Sequence, residues 1–173
     1  MEWRVDLDRS SIEFLVRHLL VTTVRGRFES FEGFIDINEA DPQSSYAEGS
    51  VDTASVHTGI SLRDGSLKAP GRFDVKRYPR MTFRSTRIGP FQNGHFDVEG
   101  DLTIKDITKP VVFHAIDKGE LKGPNGKRRW AFEATVTIDR KEFDIKWMSL
   151  MELGGLFVAD EIQGLLKIEV VES

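Results

Sequence analysis

The sequence predicts an all-β protein: an antiparallel sheet curled into a closed barrel, with one short helix near residues 61–70. Three observations predict it. Apolar and polar residues alternate with a period of two in segment after segment, which is the pattern of half-buried strands. Short turn signals separate those segments. The chain has 173 residues, 39% hydrophobic and 30% charged, which suits a single domain spanning 1–173 with a sizeable core. Every strand then has one apolar face, and closing the sheet hides those faces together and removes the edges.

The strands follow in order. Ile12, Phe14 and Val16 share a face opposite Glu13 and Arg17, with Leu15 an exception. Val24, Gly26 and Phe28 alternate with Arg25, Arg27 and Glu29. Phe31, Gly33, Ile35 and Ile37 keep one parity, broken by Phe34. Residues 49–57 read as a weaker strand, and Met81, Phe83 and Ser85 begin the next. Phe96, Val98, Gly100, Leu102 and Ile104 alternate with His95, Asp97, Glu99, Asp101 and Thr103; Val111, Phe113 and Ala115 follow. Trp130, Phe132, Ala134, Val136 and Ile138 form the longest alternating face, and Ile162, Gly164, Leu166, Ile168 and Val170 close the chain. A slip of one residue would turn any of these faces to water, so register is strongly specified.

Between the strands, Gln92-Asn93-Gly94 reads as a tight hairpin turn, because Asn-Gly accepts positive φ. Asp106–Pro110 and Gly123-Pro124-Asn125-Gly126 read as two further connections. In the helical segment 61–70, Ser61 is a candidate N-cap and Pro70 a stop, while Gly65 costs about 1 kcal/mol relative to Ala.

Residues 143–158 also escape the alternation. They carry Phe143, Ile145, Trp147, Met148, Leu150, Met151, Leu153, Leu156 and Phe157, too apolar for a solvated loop. One reading is a strand and turn lying over the core. The other is an apolar lip over a cavity, or a subunit contact that would make a homodimer. Methionine and aromatic side chains suit a surface that fits a flexible apolar guest.

Composition excludes several function classes. The 24 Lys and Arg against 28 Asp and Glu give a net charge of −4, which argues against a general nucleic-acid binder. No apolar run approaches the roughly 18 residues of a membrane-spanning helix. Without cysteine there are no disulfides, thiolate metal sites or cysteine nucleophiles. The opening Met1-Glu2-Trp3-Arg4-Val5-Asp6 has no apolar leader core, so the expected compartment is the cytoplasm, or the periplasm or exterior if a cleaved leader precedes it. Twelve Phe against two Tyr is aromatic surface without a polar handle, a first hint of an apolar ligand.

The ordered motifs resemble the YceI-like family, a lipocalin-like group known as polyisoprenoid-binding proteins. The resemblance rests on Trp3, Asp6, Ser11-Ile12, Phe14, Val16 and His18, then Val24, Gly26, Phe28, Phe31 and Gly33. It continues through Arg63-Asp64, Leu67, Phe73-Asp74-Val75, Tyr78-Pro79 and Thr82-Phe83. Gly100-Asp101-Leu102-Thr103-Ile104, Thr108-Lys109-Pro110-Val111, Ile138-Asp139-Arg140, Phe143, Val158 and Asp160-Glu161-Ile162 complete it. Ser66 stands where a histidine is common, and Asp144 where a glycine is common.

The resemblance implies an eight-stranded antiparallel lipocalin-like barrel with a long apolar tunnel. It implies a ligand there: a polyisoprenoid of the quinone or prenyl phosphate type, or another long lipid, held for transport, storage or sequestration, with only transient membrane contact. No catalytic residue, metal or cofactor is expected. On this reading the ligand contacts are Phe14, Val16, Phe28, Phe83, Phe96, Val98, Gly100, Leu102, Phe113, Trp130, Phe132, Ala134, Val136, Ile162 and Leu166, with Trp147, Met148, Met151 and Phe157 from the apolar segment. Residues alone leave two states open, since an eight-stranded barrel is filled by side chains or holds one small ligand. Gly26, Gly33, Gly100, Ala115, Ala134 and Gly164 would leave space inward, or else mark bends in the strands.

Catalytic chemistry has little footing. His18, His57, His95 and His114 lack metal-ligand spacing on one element and read as surface histidines. No phosphate loop and no Gly-x-Ser-x-Gly occurs. Asp97, Glu99 and Asp101 share a polar face and read as a solvated stripe, whereas an acid–base pair needs burial to separate its pKa values. Arg63, Arg72 and Lys76 near the helix could meet a phosphate head group, or simply solvate the loop; Arg63-Asp64 is expected to hold the helix on the barrel. Three functions follow: a lipid carrier, an interaction protein with a filled barrel, and an enzyme on an apolar substrate.

Overall fold

The computed structural model describes residues 1–18, 22–123, 125–145 and 158–173, the side chains of 17, 18, 22, 158 and 159 aside. Its strand segments are β1 (Glu2–Val5), β2 (Ser11–His18), β3 (Thr22–Phe28), β4 (Phe31–Asp36), β5 (Tyr46–Asp52), β6 (Val56–His57), β7 (Arg80–Ile88), β8 (His95–Ile104), β9 (Ile107–Lys122), β10 (Arg128–Asp139) and β11 (Val158–Glu172). All pair antiparallel in one sheet, and β1 closes the ring against β11. Three wall strands are each broken in two. β1 pairs with β4 while β2 pairs with β3, and β4 pairs with β5 while β3 pairs with β6. Joined across the breaks, the wall is a closed barrel of eight antiparallel strands, as expected from the sequence.

Local side-chain chemistry makes two of the breaks. The Asp6 carboxylate accepts the Asp8 N–H at 3.1 Å and starts a single 3₁₀ turn over Leu7–Arg9. The Asp52 carboxylate accepts the Ala54 N–H at 3.1 Å and does the same over Thr53–Ser55. Such side-chain bonds offer the backbone an alternative to the ladder, so the strand turns a corner. The weak strand expected over 49–57 is thus β5, the second corner and β6.

The alternating faces point inward in common register. Phe96 lies opposite Ala115, Ala115 opposite Ala134, Ala134 opposite Leu166, and Leu166 opposite Ile12. The Asn93-Gly94 turn has φ of 53° and 79°, the positive values a two-residue hairpin requires. The next connection is shorter than Asp106–Pro110. It consists of Lys105 and Asp106, with Lys105 at φ 60°, and Pro110 lies within β9. There β9 pairs with β8 alone, so one side of the strand has no ladder bond for proline to remove.

One end of the barrel is packed solid. The helix α1 (Ser61–Lys68) buries Leu67 against Phe73, Phe143, Ile145, Ile104 and Val16 in one cluster, and the Phe28 ring meets Phe14 and Phe73 at 5.5 and 5.8 Å. Ser61 is the first helical residue; Ile60, without a capping side chain, holds the N-cap position expected of Ser61. The entry is fixed instead by Asp64, whose carboxylate accepts the Thr58 N–H at 2.8 Å and the Thr58 hydroxyl at 2.5 Å. Arg63 donates to the Thr58 hydroxyl and carbonyl, both at 2.9 Å, so the Arg63-Asp64 pair ties the helix to the segment that leads out of β6. Of the apolar segment, Phe143 and Ile145 are buried in this cluster; Trp147, Met148, Met151 and Phe157 lie outside the described residues.

Candidate functional site

Side chains do not fill the rest of the barrel: a cavity of about 640 Å³ remains. Thirteen of the residues singled out above line it: Phe14, Phe28, Phe83, Phe96, Val98, Leu102, Phe113, Trp130, Phe132, Ala134, Val136, Ile162 and Leu166. Val16 does not. It faces inward opposite Val24 and Ile162, but at the packed end, where it is 2% exposed within the core cluster. The alternation also extends the wall to Ile12, Phe31, Ile35, Val51, Met81, Ile138 and Ile168, which share the inward parities.

Gly100 is a correction of another kind. It leaves no lumen space of its own, because its neighbours fill that space. A Cβ there would sit 2.4 Å from the Arg84 carbonyl oxygen and 2.4 Å from the Phe83 ring. Gly26 lies likewise under the Phe14 ring, and Gly164 under a Val136 methyl. Each glycine lets a cross-strand side chain lie flat against the wall, which keeps the lumen wide at that level. Gly100→Ala is therefore expected to cost about 1–3 kcal/mol, the range for overpacking. Chemical denaturation of the variant measures it, and unchanged stability would mean that strand and ring yield freely.

The other end opens. The lining runs out among exposed residues, Asn38, Glu39 and Pro42 between β4 and β5, and Phe91 between β7 and β8. A series of aromatic rings runs along this end of the barrel. Phe91 stacks on Phe96 at 4.2 Å, Phe96 meets Phe132 edge-on at 6.2 Å, Phe132 stacks on Trp130 at 6.1 Å, and Trp130 meets the fully buried Trp3 at 5.7 Å. These are the offset and edge geometries that ring quadrupoles favour.

Sequence reasoning missed one functional candidate, Asp117. Phe113, Ala115 and Asp117 share a parity, and the apolar reading stopped at Ala115. The ladder between β9 and β10 slips here: Phe132 faces Asp117 while Ala131 faces Gly119, so Lys118 is an extra, bulged residue. Gly119 sits at φ 98°, a conformation few residues but glycine adopt. Such bulges re-aim side chains next to functional sites. Here the Asp117 carboxylate lines the cavity and its Oδ1 accepts the Trp130 indole N–H at 2.7 Å and the Gly119 N–H at 2.8 Å. The legible signal was a carboxylate on the inward parity, followed two positions later by glycine.

Asp117 and, at the rim, Glu39 bring carboxylates to the lining, whereas Glu13, Glu32 and Glu48 are on the outward parity, paired with Arg25, Arg80 and Arg84; among the described residues no lysine, arginine or histidine lines the cavity. Arg128 stands near the mouth but is committed elsewhere. It donates to Glu120 at 2.5 Å, pairs with Glu39 at 2.9 Å, and lies 5.2 Å over the Trp3 ring. Its bonds hold the Glu120 carboxyl below the ordinary carboxylate range. The cations expected to meet a head group, Arg63, Arg72 and Lys76, do not line the cavity. Arg63 is turned to Thr58, Arg72 is buried, and Lys76 is exposed. All three belong to the helix end, opposite the mouth. His114 pairs with Asp97 on the outer face at 2.8 Å, and the described residues hold no cluster of metal-ligating side chains.

The family model for the YceI-like domain matches residues 3–171. The chain belongs to the YceI-like family. A UPF0312 protein of Ectopseudomonas mendocina (strain ymp) is 36% identical over 134 residues, covering 78% of this chain and 70% of its own. Among solved structures, Burkholderia cenocepacia BcnA has a TM-score of 0.82 at 24% identity, over 98% of this chain and 99% of its own. A polyisoprenoid binding domain from Saccharophagus degradans has a TM-score of 0.77 at 15% identity, over 99% and 98% of the two chains. At these identities both structures share the barrel fold with this YceI-like chain.

Proposed function

We propose that this YceI-like protein holds a single long-chain apolar lipid, a polyisoprenoid, inside the barrel and serves as its carrier or store. The observation that carries this reading is the cavity: about 640 Å³, walled by phenylalanine, tryptophan and aliphatic side chains, inside a barrel that could have been filled. Ligand pockets run from about 300 to 1,000 Å³ and are lined mainly by such residues. The Saccharophagus degradans neighbour, a polyisoprenoid binding domain on the same fold, supports the isoprenoid class.

Binding fits the site better than catalysis. The polar lining groups gather at the rim and on the strand backs, and among the described residues no nucleophile lies beside a base within the apolar wall. Burying a methylene contributes about 0.8 kcal/mol, so a five-carbon isoprene unit contributes at most about 4 kcal/mol gross. A charge-assisted hydrogen bond to a head group adds only about 1.5–3 kcal/mol. The tail therefore dominates affinity and the head group tunes it. Native mass spectrometry after mild purification tests the proposal. A co-purified long-chain apolar molecule, or stoichiometric uptake of added geranylgeraniol, is expected. A clean apo mass that stays unchanged with excess geranylgeraniol would overturn it.

A further inference from the structure

Resting on that reading, we propose that Asp117 is a specificity residue. It selects a lipid whose head is a hydrogen-bond donor, a primary alcohol foremost, and disfavours phosphate heads.

Four observations converge. Asp117 lines the cavity at its open end, where a head group would sit once the tail occupies the lumen. The bulge at Lys118 and the positive φ of Gly119 build its position. Its two hydrogen bonds, from Trp130 and from Gly119, both end on Oδ1, and it forms no ion pair among the described residues. No cation lines the cavity among those residues, and Arg128 at the same end is bound to Glu120 and Glu39.

The chemistry follows from what happens when the lipid enters. The tail expels water from the lumen, and Oδ2, which receives no hydrogen bond among the described residues, is left without a donor. A buried acceptor left without a donor is costly, and more so when charged. A hydroxyl at the head donates to Oδ2 and restores a charge-assisted bond. An ether of the same tail cannot donate, so the penalty stays. A phosphate brings negative charge to a lining that carries Glu39 and Asp117 and, among the described residues, no lysine, arginine or histidine. A head group that can only accept gains little either, because the Trp130 indole N–H is already spent on Asp117. A site built around a hydrogen bond rejects the analogue that lacks it far more strongly than a purely apolar pocket could.

Three probes with one tail make the test: geranylgeraniol, its methyl ether and geranylgeranyl phosphate. Each is titrated into the wild-type protein and into Asp117→Asn, following tryptophan fluorescence, with thermal melts to show that both are folded. The asparagine carbonyl can still accept from Trp130 and Gly119, so the bulge is preserved. The wild type is expected to bind the alcohol at least ten-fold more tightly than either the ether or the phosphate. In Asp117→Asn the phosphate is expected to come within about three-fold of the alcohol. Equal wild-type affinity for all three probes would overturn the role of Asp117 and leave the lumen reading standing. A ten-fold preference for the alcohol that survives in the folded variant would overturn it too. Failure of every probe to bind would overturn the lumen reading, and this proposal with it.

Discussion

Ala134→Trp is expected to abolish uptake of a C20 isoprenoid while leaving the barrel folded. Ala134 lies in the inward row between Ala115 on β9 and Leu166 on β11, where two adjacent strands present only methyl groups to the lumen. An indole at that point occupies the space of roughly one isoprene unit. Displacing such a unit forfeits up to about 4 kcal/mol of gross burial, and every 1.4 kcal/mol is a factor of ten in affinity. Even after partial relaxation the loss should exceed 100-fold. The position already carries a Cβ, so the change adds bulk without forcing backbone contacts, at an overpacking cost of about 1–3 kcal/mol. Gly100 would be a poor choice for this block, because its Cβ would meet the Arg84 carbonyl oxygen and the fold itself would suffer. Lys76→Ala, at an exposed site outside the cavity lining, should change affinity less than two-fold. The measurement is a titration of both variants with geranylgeraniol, with circular dichroism to show that they are folded. A folded Ala134→Trp protein that binds normally, alongside a Lys76→Ala protein that does not, would move the ligand out of the lumen.

How much of this was legible in the sequence depends on the range of the interaction. The inward faces of 96–104, 130–138 and 162–168 were legible because a period of two is a local property of one strand. The glycines were not, because what fills the space above Gly26, Gly100 and Gly164 depends on which side chain lies across the ladder: Phe14, Phe83 and Val136. The inward pattern suggested either space or bending, and pairing decided for a third outcome. Phe34 broke the parity for a similar reason. It packs on the outside of the barrel against Tyr46 at 6.0 Å, with Arg4 5.9 Å over its ring, a partnership between three separate segments. The corners at Asp6 and Asp52 were readable in principle, since an aspartate bonding two residues ahead is local chemistry. The polar mouth was half legible: Asp117 sat on the right parity, but its burial followed from a bulge that only the β9–β10 register defines. Cations near the helix looked like head-group contacts because they are near one another in sequence. In the barrel they lie at the packed end, and the opening is at the other.

Arg129→Met is expected to destabilise the barrel by about 2–4 kcal/mol at pH 7 and to lose much of that effect in acid. Arg129 is 9% exposed on β10, beside the closing seam, where β1 meets β11. Its guanidinium donates to Glu169 at 2.6 Å and to Asp6, joining β10, β11 and the turn after β1 in one ion cluster. The same turn is held by the Asp6 N–H donating to the Glu169 carbonyl at 2.9 Å. Removing the guanidinium leaves two largely buried carboxylates facing each other, with Arg9 at 3.7 Å from Glu169 and 3.9 Å from Asp6 as their remaining cation. Breaking a buried pair from one side costs about 3–5 kcal/mol, and the partial exposure of Asp6 reduces that. Arg129→Lys keeps the charge but not the forked geometry, and should fall between the two. The pH dependence has a definite sign. The hydrogen bond from Arg129 holds the Asp6 carboxyl below its ordinary value of 3.8, against the opposing effect of burial. A depressed folded-state pKa contributes stability that is fully present above the unfolded value and disappears as pH falls through the folded one. The gap between wild type and Arg129→Met should therefore be widest at pH 5–7 and should narrow below about pH 4. Urea denaturation of both proteins at pH 7 and pH 3 measures it. Equal midpoints at pH 7, or a gap that widens in acid, would show that the seam is held by the strand ladder alone.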